Sequence, residues 1–226
     1  MGELGLTSST AYLYFRSLVD AGLLVADKSG RYSLGPAVIR LDRITRRHDP
    51  LITKAREGMA RLVAPIKGDV VGLLCRSFRY QVMCVDQYSD RPTALAIGYE
   101  RGRPMPLYRG AASKAILSQM SNRTIRKLWD TEGGAITAAG LGEDWDDVKR
   151  SLRVLRKAHV VVTRGEIDPG LIGISAPIFG GDQEVIGSIG VVISEASLGT
   201  GAEKLCDESM RAVSAEASAL SQQMSE

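Results

Sequence analysis

The sequence predicts an α+β fold: a short helix-and-hairpin segment at the N-terminus, then a larger α+β domain built around a central antiparallel sheet. Three observations support this prediction. Apolar residues recur at helical spacing from Thr7 to Ala21, and two short strand-like runs around a Ser-Gly turn follow them. Past Pro50, alternating strand-like runs are joined by links of hairpin length. Helical stretches lie before, between and after those runs.

The N-terminal segment divides into a helix, a hairpin and a second helix. The first helix can be capped by a hydroxyl among residues 7–9 and ends at Gly22. The hairpin has residues 23–27 and 31–34 as its strands, and Pro36 begins a second helix that ends near residues 49–50. The residues that predict a buried face on the first helix are Ala11, Tyr14, Phe15, Leu18 and Gly22.

The larger domain alternates between helical and strand-like stretches. The predicted helices span residues 51–64, 111–120, 122–130, 144–158 and 201–223. The predicted strands span residues 70–76, 81–87, 93–98, 159–167, 172–178 and 185–193. Pro104 and Pro106 bracket a predicted loop, because proline lacks the N–H group that a strand uses for pairing.

The composition is that of a globular protein whose positive charge is concentrated near its start. Of the 226 residues, 44% are hydrophobic and 24% are charged, which is ordinary for such proteins. Residues 1–54 hold eight Lys and Arg against five Asp and Glu, which accounts for the whole formal net charge of +3. This excess favours a polyanionic partner for the segment.

The environment that the sequence predicts is a reducing cytoplasm, without a membrane partner. No apolar run reaches the roughly 18–20 residues that are needed to cross a bilayer. The three cysteines lack CxxC spacing, which argues against a disulfide scaffold.

A helix followed directly by a hairpin is typical of the second half of a winged helix-turn-helix, whose helix enters the major groove of DNA. The exposed side of the helix and the hairpin tip carry groups that can reach bases or phosphates. These candidate DNA-binding residues are Ser8, Ser9, Thr10, Tyr12, Leu13, Arg16, Lys28 and Arg31. An amphipathic helix packed on a hairpin in an unrelated α+β protein remains the open alternative.

Three motifs, in order along the chain, resemble those of the IclR family of bacterial transcription regulators. GLTSSTAY at residues 5–12, LVDAGLL at 18–24 and GRYSLGP at 30–36 are similar to the family pattern GLxxSTxYRLLxxLxxxGxL…GxYxLG. MPLYRGAASKA at residues 105–115 resembles LPxHxTAxGKA. DPG at residues 168–170, with ISAPIF at 174–179, resembles E-x-G…AAPVF.

The resemblance implies an organisation and partners. It implies a winged helix-turn-helix DNA-binding domain over residues 1–35 that lacks its first helix, a linker helix over 36–49 and an effector-binding domain over 50–226. Because the family's first helix would precede Gly5, we expect the chain to be a shortened form. Leu13 stands where the family usually has Arg. Double-stranded operator DNA is the implied partner of a homodimer, which can pair into a tetramer as a dimer of dimers.

The resemblance also implies that the larger domain binds a small organic acid. The backbone N–H groups of Ala111 and Ala112 open a helix and would bind its carboxylate. Family members that bind small keto acids present an Asp, a Cys and two Ser from the facing strands. The positions that match them here are Thr163, Gly173, Gly190 and Val192.

Three of those four polar groups are replaced by Gly or Val, which removes hydrogen bonds and is expected to add space. We therefore expect a carboxylate that is larger and more apolar than glyoxylate or pyruvate. Ile97 would supply apolar contact, and Arg109 would clamp the carboxylate.

The sequence does not predict an enzyme, a metal site or a cofactor. GISAP at residues 173–177 lacks the closing glycine of a nucleophile elbow, and His48 and His159 are poorly placed as its base. The glycines of residues 180–190 span a hairpin instead of opening a helix. A small-molecule-binding module without DNA activity stays open as the alternative function, and whether the protein represses or activates stays undetermined.

Overall fold

The computed structural model describes residues 5, 7–92, 95–198 and 202–225. The chain divides into two compact units, Met1–Asp49 and Pro50–Glu226. The first unit consists of α1 (Ser8–Asp20), β1 (Leu24–Ala26), β2 (Tyr32–Leu34) and α2 (Pro36–His48). The second unit consists of α3 (Pro50–Val63), β3 (Val70–Phe78), β4 (Gln81–Tyr88), β5 (Pro104–Pro106), α4 (Ala111–Gln119), α5 (Asn122–Ala138), α6 (Trp145–Ala158), β6 (Val161–Arg164), β7 (Leu171–Phe179), β8 (Val185–Ser194) and α7 (Ala202–Ser225), with a short 3-10 turn at Glu195–Ser197.

In the first unit, the predicted helix, hairpin and second helix are all present. Thr7 caps α1, because its Oγ1 accepts a hydrogen bond from the backbone N–H of Thr10 at 3.3 Å. Strands β1 and β2 pair antiparallel. The backbone N–H of Ala37 donates to the carbonyl of Gly22 at 3.0 Å, which fixes the start of α2 against the end of α1.

The buried face predicted for α1 is only partly buried. Ala11 is buried, and the ring of Phe15 stacks on Tyr32 with centroids 4.7 Å apart. Tyr14, Phe15 and Leu18 are 57%, 40% and 38% exposed, so the prediction is wrong for these three residues. The physical reason is the size of the hairpin, since two strands of three residues cover only one side of α1.

The second unit is built on a six-stranded sheet in the order β5-β4-β3-β8-β7-β6, and every neighbouring pair is antiparallel. The predicted central antiparallel sheet is confirmed. Helices α3 and α7 pack on one face, and α4 packs on the other with α6 against it. Strand β7 alternates as expected for a strand between two layers. Ile172, Ile174 and Ile178 face α3 and α7, so Gly173 and Ser175 face α4.

The edge of the sheet differs from the prediction. Of the strand expected at residues 93–98, residues 93–94 lie outside the described residues, and 95–98 form no strand. Instead, Pro104 and Pro106 belong to the edge strand β5, where a loop was predicted, and Val82 pairs with Met105. An edge strand needs partners on one side only, so it can contain residues that lack an N–H group.

Helix α5 is longer than predicted, because it continues past Asp130 through Gly133 and Gly134. The backbone kinks at Glu132, with φ −129° and ψ 20°, and the helix then resumes. Ile136, beyond the kink, is 1% exposed. Burial of this side chain offsets the low helix propensity of two adjacent glycines.

Candidate functional site

A small cavity lies between the α4-facing side of the sheet and the first turn of α4. Its floor is formed by neighbouring strands. In one cross-strand row, Thr163 faces Gly173, which in turn faces Val192. In the next row, Ser175 faces Gly190. Because residues two apart on a strand share a face, the two rows form one continuous surface below the helix.

The first turn of α4 forms the roof of the cavity. Ala111 and Ala112 are its first two residues, and both line the cavity. Gly110 before them has φ 80° and offers no side chain to cap their N–H groups. The N-terminal end of a helix favours an anion, because its N–H groups and its dipole both point at the ligand.

Tyr99 joins this roof to a neighbouring loop. Its hydroxyl donates to the carbonyl oxygen of Arg109 at 2.8 Å and accepts from the backbone N–H of Ser113 at 3.2 Å. A Cβ at Gly110 would lie 2.6 Å from the same hydroxyl, so the glycine allows this close approach. Burial raises the pKa of Tyr99 well above its usual value, which keeps the phenol neutral and able to donate.

One wall of the cavity is the loop that follows β6. Oδ2 of Asp168 accepts a hydrogen bond from the backbone N–H of Gly98 at 2.7 Å. The ammonium group of Lys114 lies 2.8 Å from Oε1 of Glu166, although the angle between them is not that of a hydrogen bond. The cavity that these groups enclose measures about 30 Å³, which is room for one or two water molecules.

Of the eight effector-site residues predicted from the sequence, the structure brings five to the cavity wall. These five are Ala111, Ala112, Thr163, Gly173 and Val192. They come from α4, β6, β7 and β8, so the predicted assembly of strands under a helix start is the one that the chain adopts.

The other three predicted residues do not line the cavity. Ile97 is half-buried and packs against the apolar core on the α4 side of the sheet. The guanidinium of Arg109 donates to the carbonyl oxygen of Glu166 at 2.8 Å. Gly190 lies beneath the hydroxyl of Ser175, and a Cβ at this position would overlap that hydroxyl.

The space expected from the two glycines is filled by their neighbours. A Cβ at Gly173 would lie 3.2 Å from both Cβ of Ala111 and Oγ1 of Thr163. At Gly190 the Ser175 hydroxyl occupies the corresponding volume. The expectation of added space is therefore wrong for this structure, because protein interiors close around missing side chains wherever the neighbours can approach.

Several residues that line the cavity were not predicted as site residues: Leu73, Tyr99, Gly110, Glu166, Ile167, Asp168, Leu171 and Ser175. Asp168 and Ser175 lie within the third motif, so the motif itself was a signal for them. Tyr99 had no such signal, since only the tertiary structure brings its loop to α4.

In the first unit, the predicted DNA-binding residues lie on α1 and at the hairpin tip. Tyr12 and Leu13 are 63% and 62% exposed, and Ser8, Ser9, Arg16, Lys28 and Arg31 are exposed as well. Thr10 is half-buried, and its hydroxyl lies 2.8 Å from that of Thr7.

The hairpin tip is organised by Asp27. Its Oδ1 accepts from the hydroxyl of Ser29 at 2.6 Å and from the backbone N–H of Arg31 at 2.9 Å. These hydrogen bonds, the Ser29 hydroxyl first, lower the pKa of Asp27 to about 2. Nε of Arg31 also donates to Oδ2 of Asp27 at 3.1 Å, so part of its donor capacity is used within the turn.

Two further findings concern the described residues as a whole. Among them, no three His, Cys, Asp or Glu side chains are grouped so that they could hold a metal ion. No helix formed by these residues combines the length and the apolar character that crossing a bilayer requires.

Comparison with known proteins gives one consistent result. The family model for the C-terminal domain of the bacterial transcriptional regulator IclR matches residues 45–222. The probable HTH-type transcriptional regulator ArcR of Halobacterium salinarum is 24% identical over 198 residues, which cover 87% of this chain and 74% of that protein.

Solved structures share the fold. An IclR family transcriptional regulator from Brucella abortus has a TM-score of 0.74 at 19% identity, over 97% of this chain and 81% of that one. The Thermotoga maritima IclR has a TM-score of 0.71 at 18% identity, over 99% of this chain and 88% of that one. Since the family model covers well over half of the sequence, the chain belongs to the IclR family of transcriptional regulators, which have a C-terminal ligand-binding domain.

Proposed function

We propose that this regulator reads double-stranded operator DNA through α1 and the β1–β2 hairpin, as a winged helix-turn-helix over residues 1–35. The proposal assigns residues 36–49 to a linker helix and residues 50–226 to the effector domain. The observation that carries the DNA-binding part is the largely exposed face of α1, where Tyr12 and Leu13 are more than half exposed. A helix face that packed against a protein core would bury such large side chains.

DNA binding is tested by fluorescence anisotropy with double-stranded DNA from upstream of the regulator's own gene. Arg16→Ala is expected to weaken binding by about tenfold or more and to lower the slope of log K against log salt by about one. Arg123→Ala, an exposed arginine of α5, is the matched control and should leave binding unchanged. Binding that does not vary with salt concentration would contradict a phosphate-contacting regulator. Absence of DNA binding would favour the ligand-binding module without DNA activity.

The second part of the proposal is that the cavity under α4 binds an organic carboxylate larger and more apolar than glyoxylate or pyruvate. The carboxylate would bind the N–H groups of Ala111 and Ala112, beside Thr163 and over Gly173. Leu73, Ile167, Leu171 and Val192 supply the apolar lining that supports this assignment. Because the cavity measures only about 30 Å³, such a ligand requires the loop after β6 to move away from α4.

That movement also gives Arg109 a role. Its guanidinium donates to the carbonyl oxygen of Glu166 on the same loop. Movement of the loop would free the guanidinium to bind the carboxylate of the ligand. Ile97 would then contact the apolar part of the ligand. Gly190 would act indirectly, as the position that leaves room for Ser175.

Effector binding is tested by isothermal titration of aromatic and branched carboxylates against glyoxylate and pyruvate. Gly173→Val is expected to abolish binding, because its side chain would fill the space between β7 and α4, where a Cβ alone already lies 3.2 Å from Ala111. Gly134→Ala, in an open part of α5, is the control. Tight binding of glyoxylate, with none of the larger acids, would contradict the proposed ligand class.

The third part concerns assembly and control. We infer a homodimer, able to pair into a tetramer as a dimer of dimers, because two-fold symmetry matches palindromic operators. An effector controls such an assembly only if it binds one arrangement of the two DNA-binding domains more tightly than the other.

A further inference from the structure

The α4-facing floor of the cavity carries the hydroxyls of Thr163 and Ser175, and Ser175 is the more deeply buried of the two. Ser175 is 2% exposed and lines the cavity. Among the described residues, its hydroxyl has no hydrogen-bond partner. This contrasts with Ser188 on the neighbouring strand, which is equally buried and donates to the carbonyl oxygen of Ala112 at 3.1 Å. Because Ser175 lines the cavity and its hydroxyl has no partner within the described part of the protein, the hydroxyl is available to a ligand there.

The surroundings of Ser175 keep this hydroxyl available. Its register partner is Gly190, and any Cβ there would overlap the hydroxyl. Leu73, the next residue in the same cross-strand row, is apolar and offers neither a donor nor an acceptor.

We propose that Ser175 is a specificity-determining residue of the effector site, and that the effector is a carboxylate with a second hydrogen-bonding oxygen, a hydroxyl or a carbonyl, at some distance from the carboxylate. This inference rests on the proposed function of the cavity and names its ligand class more closely. The carboxylate binds the start of α4 above Gly173, and the second oxygen bonds Oγ of Ser175. The rest of the ligand contacts Leu73 and Val192.

The spacing of the two subsites follows from strand geometry. Gly173 and Ser175 are two residues apart on β7, which corresponds to about 6.6 Å along a strand. The oxygen on an adjacent carbon, as in a 2-hydroxy acid, cannot reach both subsites. A second oxygen several bonds from the carboxylate can do so.

The test is isothermal titration of the purified protein with two matched series of acids: the straight-chain carboxylates from propanoate to hexanoate, and the same acids with a terminal hydroxyl. At intermediate chain length, the hydroxyl should tighten binding by about 3- to 10-fold, the usual contribution of one hydrogen bond. In Ser175→Ala this gain should disappear, while binding of the parent acids stays within about twofold. Ser209→Ala, at a buried serine of α7, should keep the gain.

The two hypotheses fail in different ways. Binding of the parent acids with no gain from the hydroxyl, or a gain that Ser175→Ala retains, would overturn the role of Ser175 and leave the carboxylate site standing. Absence of binding by every acid in both series would overturn the carboxylate site and the role of Ser175 together. A purely structural role for Ser175 would change the melting temperature of Ser175→Ala but not the difference between the two series.

Discussion

The ammonium group of Lys114 lies 2.8 Å from Oε1 of Glu166 and ties the beginning of α4 to the loop after β6. Both side chains are largely buried, at 11% and 20% exposure. The guanidinium of Arg109 holds the same loop through the carbonyl oxygen of Glu166. The roof and one wall of the cavity are thus joined by two cationic side chains, and opening of the cavity requires that these contacts break.

Replacement of either member of the Lys114–Glu166 pair is expected to destabilise the protein. Lys114→Met and Glu166→Gln should each lower the free energy of unfolding by about 1–3 kcal/mol, because each leaves a mostly buried partner without its counter-charge. The double variant should lose less than the sum of the two single variants. Urea unfolding of the four proteins measures this coupling.

Lys204→Met is the control for that comparison, since Lys204 is 83% exposed beside Glu208, and solvent screens such a pair. Its free energy of unfolding should match that of the unsubstituted protein. Strict additivity of Lys114→Met and Glu166→Gln would show that the two side chains do not interact in solution.

The two glycines of the predicted effector site should respond differently to alanine. Gly190→Ala is expected to lower the free energy of unfolding by about 2–4 kcal/mol, because its Cβ would overlap the carbonyl oxygen of Ile174 and the hydroxyl of Ser175. Gly173→Ala should cost less, about 1 kcal/mol, because its nearest contacts are at 3.2 Å and border a cavity. Thermal unfolding of both variants measures the difference. Equal losses would contradict the view that only Gly173 borders the ligand space.

Removal of the Tyr99 hydroxyl should loosen the start of α4. Tyr99→Phe is expected to lower the free energy of unfolding by about 1–2 kcal/mol at pH 7, because the Ser113 N–H and the Arg109 carbonyl lose their partner. Tyr12→Phe, at an exposed position, should be neutral.

The same phenol makes stability depend on pH in the alkaline range. Burial raises the pKa of Tyr99 in the folded state, so the unfolded chain ionises first, near pH 10. The contribution to stability is therefore fully present below pH 10 and declines as the pH rises above it. Urea unfolding between pH 8 and pH 11 should show a steeper loss in the unsubstituted protein than in Tyr99→Phe. If the free energy of unfolding falls equally with pH in the two proteins, the raised pKa of Tyr99 is contradicted.

The hairpin tip should respond to acid. The pKa of Asp27 is lowered to about 2 in the folded hairpin, so its contribution to the turn is fully present above about pH 4 and is lost as the pH falls towards 2. The amide signals of Ser29 and Arg31 should report this transition in an NMR titration, since both N–H groups donate to the carboxylate. In Asp27→Asn the same signals should lack that transition. A midpoint near pH 4 in the unsubstituted protein would show that the turn does not hold the carboxylate.

Local patterns predicted most of the elements, because each pattern depends on neighbouring residues. Hydroxyl capping by Thr7, proline at the start of α2 and Asp144 before α6 mark helix ends through interactions within one turn. The errors fell where tertiary packing outweighs local preference. Strand β5 contains two prolines that only an edge can accommodate, and α5 passes two glycines because Ile136 is buried beyond them.

The sequence by itself determined the class of fold, the antiparallel sheet and the family, since periodicity and motif spacing depend on the order of residues alone. It also predicted that Thr163 and Gly173 lie together, and these two residues are register partners on β6 and β7. Only the tertiary structure decided that the Ser175 hydroxyl fills the space above Gly190. It also decided that the Arg109 guanidinium bonds the loop after β6 and that the Tyr99 hydroxyl bonds the start of α4. These relationships join residues far apart in the chain, and close packing, which no local pattern encodes, sets which side chain fills each space.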